Sequence, residues 1–567
     1  MEESLALMDW RGNPINKRRH GGAKATHFII FLVVATNVAY VSNMMNLVTY
    51  LHDKMHTEIA SSSTMVTNFI GATSAFALLG AFLSDSYITR FKCMLIFGPM
   101  DFLGYALLTL QAHLSSLQPP KCDTANEWNQ CKRVQGLNAA VLYSSLYTIA
   151  LGEGCMRACM ASFGEDQFDD NDPIESKQKS SFFNWYTFGI SLGAFLGLMF
   201  VVWLEDNKGW DYGFGASALS VLLGVVLVAC GFLFYRNRKP TGSPLTRILQ
   251  VLVAAFRKRK VNLPENDDDL HQVDVKEETF GMEVLPHTKG LKFLDKASVA
   301  QGSHGPWSLC TVSQVEETKI LIRMLPIFLS SLSCYLCVPL LLTFTVQQGN
   351  TMNTKLGSIR ISPASLMIIP STFQMIFLVL YDLIFVPFAR KITGYRSGIT
   401  QLQRIGIGFL STSAAVCIAA LVEKKRKRIA EENGLIDSSE GIPMSVFWLG
   451  AQFFLIGISD VTSFVGLLEF FVEEASKGMK SIGTAIFYCI LGLASLLGTF
   501  VVEVVNRASR GGREGKGWLD GHNLNKSHLD LFYWLLAGIG FVGFLNYLYW
   551  AKKYVYRHDP HINTAAT

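Results

Sequence analysis

The sequence is poor in charged residues for its length. Asp, Glu, Lys and Arg make up 17% of the 567 residues, whereas a soluble protein carries about a quarter. Half of the residues are hydrophobic, and many apolar runs approach or exceed about 20 residues, the length that spans roughly 30 Å of hydrocarbon. The composition therefore argues against a soluble protein and predicts an all-α polytopic membrane protein.

Several chemical signatures are also missing. The net charge of +5 does not indicate nucleic-acid binding. The predicted spans contain no metal-ligand cluster, nucleophile triad or phosphate-binding loop, so we predict no enzyme, no metal site and no cofactor, and only a proton remains as a candidate coupling ion. The first twenty residues are polar and basic, which does not fit a cleavable signal peptide and predicts a cytoplasmic N-terminus.

The apolar runs predict twelve spans, six on each side of a hydrophilic linker. The predicted segments are a cytoplasmic tail at 1–26, a six-helix bundle at 27–234, a cytoplasmic linker with an amphipathic helix at 235–318, a second bundle at 319–554 and a cytoplasmic tail at 555–567. This arrangement is typical of transporters built from two related halves. One basic cluster conflicts with it, because Lys424–Arg428 would lie outside, against the positive-inside bias.

The eleven cysteines are scattered, and most lie in apolar helices, where they serve as small packing residues. Cys122 and Cys131 differ because they lie in a polar loop that the predicted topology places outside the cell. A disulfide persists in that environment. The sequence leaves two readings open for this pair, a disulfide or two free thiols.

The segment Tyr147–Asp170 carries the clearest functional signal. It places Glu153 and Arg157 inside an apolar helix, where a charged residue costs about 2.5–3.5 kcal/mol on insertion scales. Residues four apart lie on one helical face. We therefore predict that Arg157 faces a central cavity and that Glu153 either pairs with it statically or releases it as a switch.

A weak internal repeat joins the two halves. Asp85 ends the second span and is followed by Arg90, and Asp382 ends the eighth and is followed by Arg390 and Lys391. The repeat predicts acid–base latches between helix ends on the cytoplasmic side, with ordinary interfacial charge as the alternative.

Further polar residues lie within apolar spans. We predict that the neutral ones line the cavity, and that Glu469 is a gating residue near a cytoplasmic helix end. For Asp101 a functional and a structural role remain equally open. The candidate cavity-lining residues are Asn37, Tyr40, Asn43, Gln347 and Gln374.

These segments together resemble the plant nitrate/peptide transporter family, the plant branch of the proton-coupled oligopeptide transporters. The resemblance rests on GAFLSDSYITRFK (80–92), ALGEGCMRACMASFGEDQF (150–168), FFNWYTFGISLG (182–193), WLEDNKGWDYGFG (203–215) and TVSQVEETKILIRMLPIF (311–328). It implies a major facilitator fold. It also implies that Arg157 and Asp460 face the binding cavity and that Asp85 and Arg90 belong to a cytoplasmic motif.

The chain departs from that family at three places. The acidic-x-x-acidic-basic signature of the first helix is replaced by VVATN at Val33–Asn37, so the usual proton coupling is not expected. Val338 stands where a nitrate-transporting member has a histidine, and Glu153 stands where a small or neutral residue is typical. One explanation is that Glu153 supplies from the fourth helix a carboxylate lost from the first, and the alternative is a static ion pair that only neutralises Arg157.

One cation among neutral polar and apolar walls suits an amphipathic carboxylate. The resemblance adds the substrate range, with abscisic acid and gibberellin as examples. We expect a monomeric transporter of a small organic anion in the plasma membrane, with a vacuolar or other endomembrane as the alternative location. Nitrate transport and non-transporting ligand sensing are the competing functions.

Overall fold

The structure is a computed structural model of the chain. It describes residues 7–16, 19–57, 59–120, 133–169, 172–240, 242–264, 270–272, 284–300, 305–353, 355–356, 359–360, 368–395, 397–436, 442–510, 517–519 and 524–557. Cys122 and Cys131 lie outside these residues, so their pairing stays a prediction.

Long helices account for nearly all of the described chain. In the first half they are Gly22–Asp53, Ile59–Ser86, Arg90–His113, Gly136–Glu165, Pro173–Leu196 continuing as Gly197–Val201 and Val202–Asn207, and Trp210–Cys230. In the second half they are Val312–Tyr335 with Cys337–Asn350, Ile368–Leu380 continuing as Tyr381–Phe385 and Val386–Thr393, Gln401–Glu432, Gly450–Ser459 continuing as Asp460–Phe464 and Val465–Glu474, Lys480–Ser509, and Leu529–Lys553. We number them as the first to twelfth spans in chain order, and they confirm an all-α membrane protein.

The fourth span differs from the other eleven. Within the described residues, eleven helices are long and apolar enough to cross a membrane, and Gly136–Glu165 is not one of them. Its 30 residues nevertheless make a helix about 45 Å long. Glu153 and Arg157 lie within it, so this is the span that departs most from an ordinary lipid-facing helix.

Small residues bring the fourth span against the second and third. A Cβ atom at Gly80 would collide with the backbone of Cys155, and one at Gly152 would lie 2.5 Å from the backbone nitrogen of Asp101. Such close approach is typical of small residues at membrane helix interfaces. It fixes the position of Glu153 and Arg157 inside the first half.

Short strands and the linker tie the spans together on their outer sides. Leu7–Met8 pairs antiparallel with Asn237–Arg238, Met352–Asn353 parallel with Ile442–Ser445, and Lys355–Leu356 antiparallel with Ile359–Arg360. We call the membrane face that carries the linker the linker side and the opposite face the far side. The linker helix, Pro244–Arg257, docks on the seventh span, where Arg247 Nε lies 2.9 Å from Glu317 Oε2.

The basic cluster at 424–428 lies on the far side in an extension of the ninth span, and most of its charges have partners. The contacts are Lys425 over the ring of Trp448, Arg426 with Glu423, Lys427 with Asp530 and Arg428 with Glu432. The Arg426–Glu423 pair is fully buried. Most of these cations are therefore held by contacts within the protein, and the cluster remains an exception to the positive-inside bias.

Candidate functional site

Arg157 lies in the fourth span, and its side chain is 12% exposed. Its Nε donates to Glu153 Oε1 at 2.5 Å, and its Nη2 donates to Asn37 Oδ1 of the first span at 3.1 Å. Among the described residues, no hydrogen bond joins Nη1 to a partner. The Nη1 group of the guanidinium, with the one N–H of Nη2 that Asn37 does not accept, is therefore available to an acceptor.

Two tyrosines contact the guanidinium from different halves of the molecule. The Arg157 carbon Cζ lies 4.1 Å from the ring centroid of Tyr40 and 5.5 Å from that of Tyr488 in the eleventh span. Cation–π contacts of this kind stabilise a buried cation while leaving its hydrogen-bonding edge free. The cation thus lies where the two halves meet.

Two carboxylates near Arg157 have oxygens without hydrogen-bond partners among the described residues. They are Oε2 of Glu153 and both oxygens of Asp101, and the two residues are 1% and 0% exposed. A buried carboxylate oxygen without a hydrogen-bond donor costs desolvation free energy. The arrangement therefore offers acceptor atoms for a proton or for a donor on a ligand.

Asp85 and Arg90 form part of a contact between the halves on the linker side. Arg90 Nη2 lies 2.9 Å from Asp85 Oδ1, and its Nη1 also donates to Asp166. Arg90 Nε donates to Ser481 Oγ of the eleventh span at 2.8 Å. Burial raises the pKa of Asp166, but Arg90, Arg238 and Lys480 outweigh it and hold that pKa below its ordinary value.

Asp382 belongs to a second contact between the halves. Its oxygens accept from Ser181 Oγ at 2.6 Å and Asn184 Nδ2 at 2.8 Å, both in the fifth span. Arg404 of the ninth span donates to Asn184 Oδ1 at 2.8 Å and pairs with Glu469 at 3.4 Å. Asn184 and Arg404 thus connect the predicted gating residues Asp382 and Glu469 through hydrogen bonds and an ion pair.

Both contacts join the halves on one side of the membrane. In this conformation the linker side is closed between the second, third, fourth and eleventh spans and between the fifth, eighth, ninth and tenth. Asp382 and Asp460 also lie in turns of π-helix, at 381–385 and 460–464. Single π-turns are frequent at functional sites.

The remaining predicted residues lie in varied surroundings. Asp460 and Gln374 are half-buried in the tenth and eighth spans. Asn43 is buried and donates to Ser217 Oγ of the sixth span at 2.8 Å, which is a helix-packing contact. Gln347 is exposed, and its neighbour Gln348 is buried and donates to Glu423 at 2.8 Å.

Sequence reasoning missed Arg404, Asn184 and Tyr488. Arg404 carried a signal similar to that of Arg157, a cation within an apolar span, although it lies in the first turn of its span. A search for such cations would have found it. Tyr488 carried none, because aromatic residues are common in every span.

One carboxylate cluster in the linker has the composition of a metal site. The ligand atoms of His287, Asp295 and Glu316 lie within 4.8 Å of one another. However, the ammonium of Lys319 lies 2.6 Å from Asp295 and 2.7 Å from Glu316. The lysine supplies the positive charge that a metal ion would otherwise bring, so this cluster is an ion-pair network.

Comparison with known proteins identifies relatives along the whole chain. The model of the POT family, PTR2, matches residues 91–519. The Arabidopsis thaliana protein NRT1/PTR FAMILY 4.6 is 40% identical over 571 residues, and the alignment covers 97% of this chain and 97% of the relative. NRT1/PTR FAMILY 4.5 of the same plant is 41% identical over 551 residues, covering 97% of this chain and 96% of the relative.

Solved structures confirm the fold. The POT family transporter PepTSo superposes with a TM-score of 0.61 at 15% identity, covering 94% of this chain and 98% of that chain. A POT family transporter in complex with 5-aminolevulinic acid gives a TM-score of 0.60 at 12% identity, with 97% and 99% covered. The expected major facilitator fold is therefore correct.

Proposed function

The chain belongs to the POT family of membrane transporters, and we propose that it is a secondary transporter of a small organic anion. The observation that carries this proposal is the Arg157 guanidinium, buried where the two halves meet with no described hydrogen-bond partner at Nη1. A guanidinium grips a carboxylate through two parallel hydrogen bonds and stays charged at physiological pH.

The surroundings of Arg157 favour an amphipathic carboxylate over a small inorganic anion. Tyr40 and Tyr488 present apolar ring surface beside the cation. Such a ligand uses one charge partner and a large apolar contact. Plant hormones with a carboxylate, such as abscisic acid or a gibberellin, have this form. Solved transporters of this fold include complexes with 5-aminolevulinic acid and with sulfate, so anionic groups occur among their ligands.

We propose that Glu153 takes part in coupling to protons. The first span supplies Asn37 to the site in place of a charged residue, and Glu153 is the carboxylate that contacts Arg157. Protonation of Glu153 would weaken its hold on Arg157, and anion binding would do the same by competition. Coupling is therefore expected to be weaker than in members that keep the first-helix acids.

Uptake by the purified protein in proteoliposomes tests the function. The panel contains abscisic acid, a gibberellin, nitrate and a dipeptide, each with and without an imposed pH gradient. Saturable uptake of a hormone carboxylate supports the proposal. Uptake of nitrate alone overturns it in favour of a nitrate transporter, and binding of the hormone without uptake overturns it in favour of a sensor.

The protein is an integral multi-pass membrane protein, and we propose the plasma membrane as its location and a monomer as its working form. The Arg157 site draws on the first, fourth and eleventh spans, so both halves of one chain contribute to it. Expression of a fluorescent fusion in plant cells tests the first point, and mass measurement in detergent tests the second. A vacuolar signal or a stable dimer would overturn the respective proposal.

A further inference from the structure

The linker helix, Pro244–Arg257, has three distinct faces. One face is buried against the protein and includes Arg247, Val251 and Ala254. A second face is apolar and exposed, and its residues are Leu245 at 46%, Leu249 at 54%, Leu252 at 38% and Phe256 at 61% exposure. A third face is polar and includes the exposed Thr246 and Arg257.

The exposed apolar residues form one continuous stripe. Their positions follow the three- and four-residue steps of a helix, so their side chains lie one above another. The protein core does not use this stripe, because a different face packs against the linker and the seventh span. A helix with separate protein-facing, apolar and polar faces fits a boundary between protein, lipid and water.

The helix lies at the level at which the seventh span enters the membrane. Arg247 pairs with Glu317, which lies in the second turn of Val312–Tyr335, just before the apolar run of that span. The other end of the helix is fixed by Lys258, whose Nζ donates to the carbonyl oxygens of Ala297 and Val299 at 3.2 and 2.7 Å.

Exposed cations lie next to the apolar stripe. Arg257, Arg259 and Lys260 are grouped at the end of the helix, and the Arg259 carbon Cζ lies 4.8 Å from the ring centroid of Phe256. A basic group beside an apolar stripe is complementary to an anionic membrane surface, since the charges bind headgroups while the stripe enters the acyl boundary.

We propose that the linker helix is a membrane-surface anchor that binds anionic phospholipids through this apolar stripe and the cations at 257, 259 and 260. The apolar stripe contacts the membrane leaflet on the linker side. Binding there holds the linker, and with it the start of the seventh span, at a fixed depth. The proposal does not depend on the transported substrate.

Photo-crosslinking of the full chain in lipid nanodiscs tests the proposal. A benzophenone amino acid replaces Leu249 on the apolar stripe, and the matched control replaces Thr246 on the polar face of the same helix. In nanodiscs that contain phosphatidylserine, we expect lipid adducts at position 249 and severalfold fewer at position 246. Equal lipid labelling at the two positions would overturn the proposal, as would adducts at 249 to a second copy or to the chain's own tail.

The charge requirement is tested separately on the same label at position 249. Replacing phosphatidylserine with phosphatidylcholine should lower the adduct yield, and so should the triple variant Arg257→Gln, Arg259→Gln and Lys260→Gln. Each cation lost is expected to weaken attraction to anionic lipid about fivefold. An unchanged yield in both arms would show that the stripe meets lipid without selecting anionic headgroups, and would overturn that part of the proposal.

Discussion

Arg157 Nε lies 2.5 Å from Glu153 Oε1, one helical turn away in the same span. This pairing uses Nε, Asn37 accepts from Nη2, and Nη1 has no hydrogen-bond partner among the described residues. Glu153 therefore holds the Arg157 guanidinium in place and still leaves it able to bind an anion. A static ion pair and an anion site respond differently to the removal of either charge, so substitutions at these two positions distinguish them.

Arg157→Ala is expected to nearly abolish transport in proteoliposomes. A bound carboxylate that loses its charge partner loses roughly 2–5 kcal/mol, which is more than tenfold in affinity. Arg157→Lys should keep a reduced part of the activity, because the charge remains without the planar fork. Thermal unfolding and surface delivery serve as controls for folding.

The double variant Glu153→Gln with Arg157→Gln separates the two explanations. If Arg157 only neutralises Glu153, removing both charges restores transport to the level of the parent. We expect the double variant to remain inactive, and full activity would refute the anion site.

Glu153→Gln alone is expected to remove accumulation driven by a pH gradient and to leave exchange of substrate across the membrane. The amide preserves the shape of the carboxylate but does not take up a proton. Glu205→Gln is the matched control, because Glu205 is also buried in the first half and accepts from Asn46 at 2.7 Å. Asp101→Asn in the same assay shows whether Asp101 also contributes to accumulation driven by a pH gradient. Gradient-driven accumulation that survives Glu153→Gln would place the proton elsewhere.

Arg404→Ala is expected to lower the maximal transport rate more than the substrate affinity. Arg404 donates to Asn184 across the two halves and pairs with Glu469. Hydrogen bonds of a charged group contribute about 1.5–3 kcal/mol each, so the state closed on the linker side should lose more than tenfold in population. Arg428→Ala, which removes a pair exposed at 78% and 56%, is the control. A change in affinity alone would argue against a gate.

The sequence predicted the architecture because membrane spans have a simple physical signature. Twelve apolar runs and a polar linker sufficed to predict the long helices of the described chain. The fourth span was predicted as one of these apolar runs, although it is not among the eleven described helices that are long and apolar enough to cross a membrane. The apolar length of a span is a property of the sequence alone, so it does not depend on how the helices pack.

The sequence predicted the site less completely, because a side chain's direction depends on helix rotation and tilt. Asn37 and Tyr40 lie against Arg157, but Asn43 turns to Ser217 of the sixth span. Neighbouring residues of a helix point in directions about 100° apart. For this reason Gln347 is exposed while Gln348 is buried. The contacts across the halves depend on how the two bundles meet, which no local pattern encodes.

The pair of Glu423 and Arg426 provides a test of stability without transport. Both side chains are fully buried in the second half, and Arg426 donates to Glu423 through Nε at 2.8 Å and Nη2 at 2.7 Å. Breaking a buried pair leaves an uncompensated charge and costs about 3–5 kcal/mol. Glu423→Ala is therefore expected to lower the unfolding temperature in detergent by several degrees or more.

Glu503→Ala is the matched control for that prediction. Glu503 pairs with Arg507 four residues away, as an exposed pair near the far-side end of the eleventh span. Exposed pairs contribute about 0–1 kcal/mol, so this variant should unfold close to the parent. The double variant Glu423→Leu with Arg426→Met should recover most of the loss, because neither charge then remains buried alone. If Glu423→Ala unfolds no earlier than Glu503→Ala, the buried pair does not stabilise the far side of the second half.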